Sequence, residues 1–205
     1  MKRVQFFLTL AVLLASISWP HAATAQDTHA TASQPLQLSV FGAASGVFTG
    51  LGGGKNFGIT AGGDLGLPSW RGMRPTIELR GTYPTDHGLV DSQKSILAGV
   101  DVEFLLSHRF RPYGDFLFGR GEMNYKTSQG ADGYFFNNYI YSLTTTYIDS
   151  PGAGFSYQLS PHLGLKVDGQ FQRWASAPTN SGYVYSKVGT VGLIYYFTFD
   201  GHHSR

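Results

Sequence analysis

The sequence predicts an all-β fold, an eight-stranded antiparallel up-and-down barrel that crosses a membrane. Three observations carry this prediction: apolar residues recur at every second position, short and long connections alternate, and glycine and aromatic residues are abundant. The 205-residue chain has 27 glycines and no cysteine, and 15% of its residues are aromatic. Glycine costs about 1 kcal/mol per helical position, which disfavours a helical bundle. The lack of cysteine excludes a disulfide framework and thiol catalysis.

The N-terminus has the pattern of a cleavable signal peptide over residues 1–25. Lys2 and Arg3 precede an apolar run from Val4 to Ile17, and Ala23-Thr24-Ala25 has the small residues that signal peptidase requires. The run is too short to span a bilayer as a helix. Cleavage removes two of the 15 cations and none of the 13 anions, so the mature chain has no net charge. The charge therefore gives no indication of a nucleic-acid partner.

Eight segments of the mature chain alternate with the period of two that is typical of β-strands. In the clear segments one face is apolar, and the opposite face carries the charged residues. The clear segments begin at Phe57, Pro75, Ile96, Leu163 and Thr190, and weaker ones run from Leu36 to Phe48, Pro112 to Met123 and Tyr147 to Leu159. The predicted strands of about 9–14 residues suit a bilayer, which a tilted strand of about 9–11 residues can cross.

The connections between these segments alternate in length. The short ones are 68–72, 106–109 and 160–162, and the longer ones are 49–55, 84–94, 124–146 and 175–184. Membrane barrels have short periplasmic turns and long outward loops, so both chain ends are predicted to be periplasmic. Alternation alone also fits a soluble barrel with its charges outward, and the sorted connections favour the membrane barrel.

Aromatic residues gather near the predicted strand ends, as in the two interfacial girdles of membrane barrels. They are Trp70, Tyr83, Phe104, Tyr113, Tyr125, Tyr147, Trp174 and Tyr185. Aromatic residues also favour strands in general, so this indication is weaker than that of the connections.

The last segment resembles the C-terminal assembly signal of outer-membrane barrels. Thr190, Gly192, Tyr195 and Phe197 stand at its polar, glycine, apolar-or-aromatic and final aromatic positions. With the signal peptide and the alternation, residues 36–197 resemble the small eight-stranded barrels of the outer membrane protein A and X type. The resemblance implies a Gram-negative cell outer membrane, with its lipids and the barrel assembly machinery as partners. The tail after Phe197 departs from the pattern, because barrels of this type usually end on the aromatic residue.

The predicted domain organisation follows from these segments. It consists of a signal peptide over 1–25, a flexible lead-in over 26–35, the barrel over 36–199 and a periplasmic tail over 200–205.

The polar faces of the strands predict a closed interior with no open pore. A barrel of eight strands is just wide enough for its own side chains, and buried charges must be paired. We expect an ion-pair network centred on Arg80 and Lys166. Its predicted members are Glu78, Arg80, Asp101, Glu103, Asp115, Lys166 and Asp168.

The third outward loop is rich in aromatic residues, which are common in recognition surfaces. It is a candidate site for an extracellular ligand, and the alternative is a self-packed hairpin that caps the barrel. The candidate residues are Tyr134, Phe135, Phe136, Tyr139 and Tyr141.

No catalytic, cofactor or metal site is predicted, and the expected role is structural or surface-interacting. The histidines lack a metal-binding spacing. One alternative is an enzyme that modifies lipid A, for which His87 stands near Asp86, Asp91 and Ser92 in an outward loop. The other alternative is a soluble, lipocalin-like periplasmic barrel that binds an apolar ligand.

Overall fold

The computed structural model describes residues 36–50, 54–85, 92–107, 109–125, 134–136, 139–141, 143–175 and 181–197. The predicted signal peptide, the lead-in and the tail lie outside these residues. Within them no helix is long and apolar enough to cross a membrane.

Eight of the ten described β-strands close into one barrel, and the other two form a separate hairpin. The predicted eight-stranded, all-β barrel is therefore confirmed. The strands are β1 (Gln37–Phe48), β2 (Lys55–Gly66), β3 (Met73–Pro84), β4 (Ser92–Phe104), β5 (Phe110–Asn124), β6 (Tyr134–Phe136), β7 (Tyr139–Tyr141), β8 (Leu143–Gln158), β9 (Leu163–Ala175) and β10 (Tyr183–Tyr196).

The barrel has up-and-down topology, and every neighbouring pair of strands is antiparallel. Strands β1 to β5 follow one another around the barrel, then β8, β9 and β10, and among the described strands β6 pairs with β7. The barrel closes between β1 and β10, where the register runs from Ser39 opposite Tyr196 to Phe48 opposite Lys187. A closed barrel pairs its strand edges internally, which is a requirement for a sheet that crosses a bilayer.

The turn between β2 and β3 shows how the short connections reverse the chain. Trp70 N donates to Met73 O at 2.8 Å, and Met73 N donates to Trp70 O at 3.0 Å. The two residues between them, Arg71 and Gly72, have φ angles of 50° and 76°. Positive φ at both central positions is the geometry of a tight type I′ hairpin turn. This turn forms the predicted short connection at 68–72.

The exterior of the barrel is apolar. Large aliphatic and aromatic side chains at alternate positions of the strands point away from the lumen and are 43–61% exposed. Contiguous apolar surface of this extent is stable in lipid and unusual in a soluble monomer, which argues against the soluble barrel. These residues include Val40, Ile59, Ile77, Leu79, Ile96, Val100, Phe116, Phe118, Val191 and Leu193.

The prediction of aromatic girdles is wrong for three residues. Tyr113, Tyr125 and Trp174 lie inside the barrel and are at most 4% exposed. Tyr113 and Trp174 occupy strand positions of the same parity as the inward charged residues, so alternation turns them toward the lumen. The other predicted girdle residues, Trp70, Tyr83, Phe104, Tyr147 and Tyr185, are exposed.

Candidate functional site

The lumen of the barrel is the candidate site, and Arg80 lies at its centre. Its Nε donates to a carboxylate oxygen of Glu78, two residues away on β3. Its Nη1 and Nη2 donate to the two carboxylate oxygens of Asp168, at 3.0 and 3.3 Å. A forked pair of this kind fixes the guanidinium plane as well as its charge. The side chains of all three residues are at most 2% exposed.

Lys166 is the second buried cation of the lumen. Its Nζ donates to Asp64 Oδ2 at 3.0 Å and to Glu78 Oε2 at 2.9 Å. Glu78 therefore joins both cations. The face of the Phe41 ring adds a further contact, with its centroid 4.0 Å from Lys166 Nζ. Cation–π contacts strengthen when they are shielded from water, as this one is.

The network crosses the lumen from one wall to the opposite one. Glu78 and Arg80 belong to β3, whereas Lys166 and Asp168 belong to β9, which lies four strands away in both directions around the barrel. Tyr113 on β5 also donates its hydroxyl to Asp168 Oδ2 at 3.3 Å. Side chains from opposite walls meet here because an eight-stranded barrel is narrow.

Two further predicted members are buried beside the network. Gln170 Nε2 donates to the carboxylate of Asp115 at 2.8 and 3.0 Å, and Ser150 donates to Gln170 Oε1 at 2.7 Å. Asp101 is 3% exposed and lies near Asp64 and Glu78. Both residues thus line the lumen without an ion pair among the described residues.

The remaining predicted member, Glu103, is not joined to the central network. It is half-buried near the short-turn end, where it is opposite Arg74 in the register of β3 and β4. Its position two residues beyond Asp101 along β4 carries it away from Arg80 and Lys166.

The structure adds Asp64, which was absent from the predicted membership. Asp64 lies directly opposite Glu78 in the register of β2 and β3, and its inward position follows from the alternation of β2. The alternation of β2 is therefore sufficient to predict that Asp64 points into the lumen. Its bond to Lys166, 102 residues away, depends on barrel closure and could not be read from one strand.

The carboxylates of Asp64, Glu78 and Asp101 are the described acidic group that has the spacing of a metal site. Their oxygen atoms lie within 4.8 Å of one another. The Lys166 ammonium already contacts two of the three residues. A divalent cation would be repelled by this ammonium, so the arrangement fits an internal lysine better than a metal.

A second, apolar layer fills the half of the lumen nearer the long loops. Its members are each at most 2% exposed, and none carries a charge. Gly121 makes room for this layer, because a Cβ at this position would lie 2.5 Å from Ile148 Cδ1 and strike the Trp174 ring. The layer consists of Leu97, Leu117, Met123, Tyr125, Ile148, Trp174 and Val184.

Buried hydroxyl groups line the wall of β1 to β3 beside this layer. The Thr60 hydroxyl lies 2.5 Å from the Ser45 hydroxyl and 2.8 Å from the Thr82 hydroxyl. Nearer the loops, Ser186 donates to Thr49 O at 2.9 Å, and Gln93 Nε2 donates to the same carbonyl at 3.3 Å. These bonds satisfy polar groups that would be costly to bury alone.

The predicted C-terminal assembly signal forms part of β10 and the residue after it. Thr190 is buried in the lumen, whereas Tyr195 and Phe197 are 45% and 39% exposed and pack edge to face, with ring centroids 5.1 Å apart. A Cβ at Gly192 would strike the backbone of Gly42 and Ala43 on β1. Glycine at this position therefore allows the last strand to approach the first.

The third outward loop contains the hairpin of β6 and β7. Its backbone places Tyr134 opposite Tyr141, Phe135 opposite Ile140, and Phe136 opposite Tyr139. Their side chains lie outside the described residues. His87, Asp86 and Asp91 also lie outside them, whereas Ser92 is buried at the start of β4.

No protein-family model and no curated protein sequence matches the chain. Solved structures do match it. Neisserial surface protein A has a TM-score of 0.51 and 14% identity, over 80% of this chain and 97% of that one. A major outer membrane protein from Thermus thermophilus has a TM-score of 0.48 and 14% identity, over 80% and 100%. The attachment invasion locus protein Ail of Yersinia pestis has a TM-score of 0.46 and 13% identity, over 79% and 97%.

These comparisons bear on the fold alone. The first shows that the chain has the fold of an outer-membrane β-barrel. The apolar exterior and the polar lumen are those of a barrel embedded in lipid. The protein is therefore an eight-stranded β-barrel of the cell outer membrane.

Proposed function

We propose that this protein is a non-enzymatic barrel with a closed lumen and a structural or surface-interacting role. The observation that carries the proposal is the double filling of the lumen. The ion-paired layer crosses it from β3 to β9, and the apolar layer fills the half nearer the loops. An ion that entered would have to break the Arg80–Asp168 pair and pass the buried Trp174 ring.

Conductance in planar lipid bilayers tests the closed lumen. We expect the purified barrel to give no steady channels at neutral pH. The triple substitution Arg80→Ala/Leu117→Ala/Trp174→Ala should produce measurable openings. It removes Arg80 from the ion-paired layer and two large side chains from the apolar layer. A matched exterior triple, Phe116→Ala/Phe118→Ala/Leu79→Ala, should stay closed. Steady, large channels from the unmodified protein would contradict the proposal.

A second candidate function is recognition of an extracellular ligand through the third outward loop. The β6–β7 hairpin supports it, because a paired hairpin presents its aromatic residues in a fixed register. Cells that carry the barrel should attach to host cells or matrix, and deletion of residues 130–140 should abolish this attachment. The shortened barrel should still migrate as a folded, heat-modifiable species. Unchanged attachment to every surface would contradict this candidate.

The enzymatic alternative has its own test. If the barrel modified lipid A, substitution His87→Ala would change the mass of lipid A in cells that express it. We expect identical lipid A masses for the His87→Ala variant, the unmodified barrel and cells without it. A mass difference that depends on His87 would overturn the non-enzymatic assignment.

A further inference from the structure

A depression of about 530 Å³ lies on the lipid-facing exterior, toward the long-loop end of β2 to β5. Gly81 and Ala61 are opposite each other in register and form its floor, because neither has a side chain that fills the space. Ile59, Tyr83 and Ile96 border it and are 55%, 59% and 60% exposed. The depression is therefore apolar, open toward lipid and wide enough for part of an acyl chain.

Two cations stand at the edge of this depression. Arg120 is opposite Ile96 in the register of β4 and β5, and Lys94 is opposite Glu122 in the same pair of strands. Both cations are exposed and face the lipid side. The depression thus has an apolar floor and a cationic edge toward the outer membrane surface.

Arg120 is the more available of the two cations. Its Nη2 donates to the Tyr147 hydroxyl at 3.2 Å, and its guanidinium carbon lies 4.7 Å from the centroid of the Tyr147 ring. Within the described residues no carboxylate forms an ion pair with it. These contacts orient the guanidinium and leave its charge unneutralised.

Lys94 shares its charge with a neighbour. Its Nζ lies 2.8 Å from Glu122 Oε1, and the two side chains are 47% and 30% exposed. An exposed pair of this kind is weak. An anion at the surface can therefore compete with Glu122 for the lysine.

We propose that the depression binds a phosphorylated glycolipid of the outer leaflet, with one acyl chain against Gly81 and Ala61 and a phosphate held by Arg120 and Lys94. The long loops mark the outward side of the barrel, so the two cations lie toward the headgroups of the outer leaflet. The two cations, with the Tyr147 hydroxyl beside Arg120 on the side away from Lys94, suit a bulky headgroup that carries phosphates and sugar hydroxyls. All residues involved face outward, so this proposal is independent of the closed lumen.

The experiment measures lipid binding to the barrel purified in detergent. Native mass spectrometry would follow titrations with bis-phosphorylated lipid A, with phosphatidylglycerol and with phosphatidylcholine. We expect lipid A to bind most tightly. The substitution Lys94→Gln/Arg120→Gln should weaken its binding by roughly 30-fold, since each cation near an anionic lipid surface contributes about a fivefold factor. Lys187→Gln, an exterior cation on β10, is the matched control and should change nothing.

Two further substitutions separate the apolar and the ionic parts of the site. Gly81→Leu should abolish lipid A binding by filling the depression, and the barrel accommodates it because the nearest atom to an added Cβ is Ser95 O at 3.8 Å. Gly169→Leu is its control on β9, where an added Cβ meets nothing within 4 Å. Glu122→Gln should tighten lipid A binding, because it frees Lys94.

Selective weakening by Lys94→Gln/Arg120→Gln and by Gly81→Leu, with both controls unchanged, supports the proposal. Equal binding of lipid A by all variants overturns it, and so does equal affinity of the unmodified barrel for the three lipids. Phosphatidylglycerol binding that equals lipid A binding and depends on Arg120 would overturn the assignment to a glycolipid. Heat-modifiable migration of every variant confirms that each barrel is folded.

Discussion

The two layers of the lumen close the same barrel by opposite chemistry. The layer nearer the short turns holds Arg80 and Lys166 among three carboxylates, whereas the layer nearer the long loops holds Leu117, Trp174 and other apolar residues. The ion-paired layer depends on complete pairing, because a buried charge that loses its partner is strongly destabilising. The stability of the apolar layer depends on the volume that its side chains fill, because a cavity in this layer is its main source of destabilisation. The inward position of a residue therefore does not by itself decide which chemistry fills a narrow barrel.

The largest effect is expected from Glu78→Gln in the ion-paired layer. Glu78 is the only described carboxylate that contacts both Arg80 and Lys166, so its neutralisation weakens two buried pairs. We expect the free energy of unfolding to fall by about 3–5 kcal/mol, as for other broken buried ion pairs. Urea denaturation in lipid vesicles, followed by tryptophan fluorescence, measures it.

The control for this prediction is Glu122→Gln on the exterior. Glu122 also pairs with a lysine, but that pair is exposed, and its loss should leave the denaturation midpoint unchanged. Equal effects of the two substitutions would show that burial does not make the Glu78 pairs more stabilising than the exposed pair.

A smaller effect is expected from Leu117→Ala in the apolar layer. Leu117 is fully buried, and its truncation should leave a cavity that costs about 3 kcal/mol of unfolding free energy. Neighbouring side chains can relax into a cavity and reduce its free-energy cost, whereas no such relaxation restores the partner of an unpaired buried charge. The same denaturation experiment applies, and a loss greater than that of Glu78→Gln would reverse the ranking of the two layers.

Glycine substitutions on β5 distinguish the packed lumen from the open exterior. A Cβ at Gly121 would strike Trp174 and Ile148, so Gly121→Ala should cost about 1–3 kcal/mol through overpacking. Gly114 lies on the same strand, and a Cβ there meets nothing within 4 Å. Gly114→Ala should leave the stability unchanged or raise it slightly. If both substitutions were neutral, the apolar layer would be looser than the structure shows.

The ion-paired layer was the more predictable of the two from sequence. Charged residues at alternate positions of β3 and β9 must face the lumen of a membrane barrel, so the inward positions of Arg80 and Lys166 follow from parity. The partners of these two cations do not follow from parity. The bond of Lys166 to Asp64 depends on which strands stand opposite each other after closure, and this information is distributed over the whole chain.

The apolar layer was not predicted, because its residues resemble those of the exterior. Trp174 lies near a strand end, where an interfacial residue is expected, and only its parity on β9 shows that it faces inward. Apolar residues on both faces of a strand remove the contrast on which alternation depends. The depression around Gly81 could not be predicted from the sequence either, since it depends on the register that places Ala61 and Ile96 beside Gly81.

The smallest effect concerns the hydroxyl groups that border the apolar layer. Thr60 bonds to Ser45 and Thr82, so Thr60→Val leaves two buried hydroxyls without this partner and should cost about 1–2 kcal/mol. The triple substitution Ser45→Ala/Thr60→Val/Thr82→Val removes the whole set and should cost less than the single one, because no buried hydroxyl of the three is left unsatisfied. Urea denaturation of both variants in vesicles measures the difference. If the triple variant lost more stability than Thr60→Val alone, the hydroxyl groups would stabilise the barrel by their own bonding, and this wall would behave like the ion-paired layer rather than the apolar one.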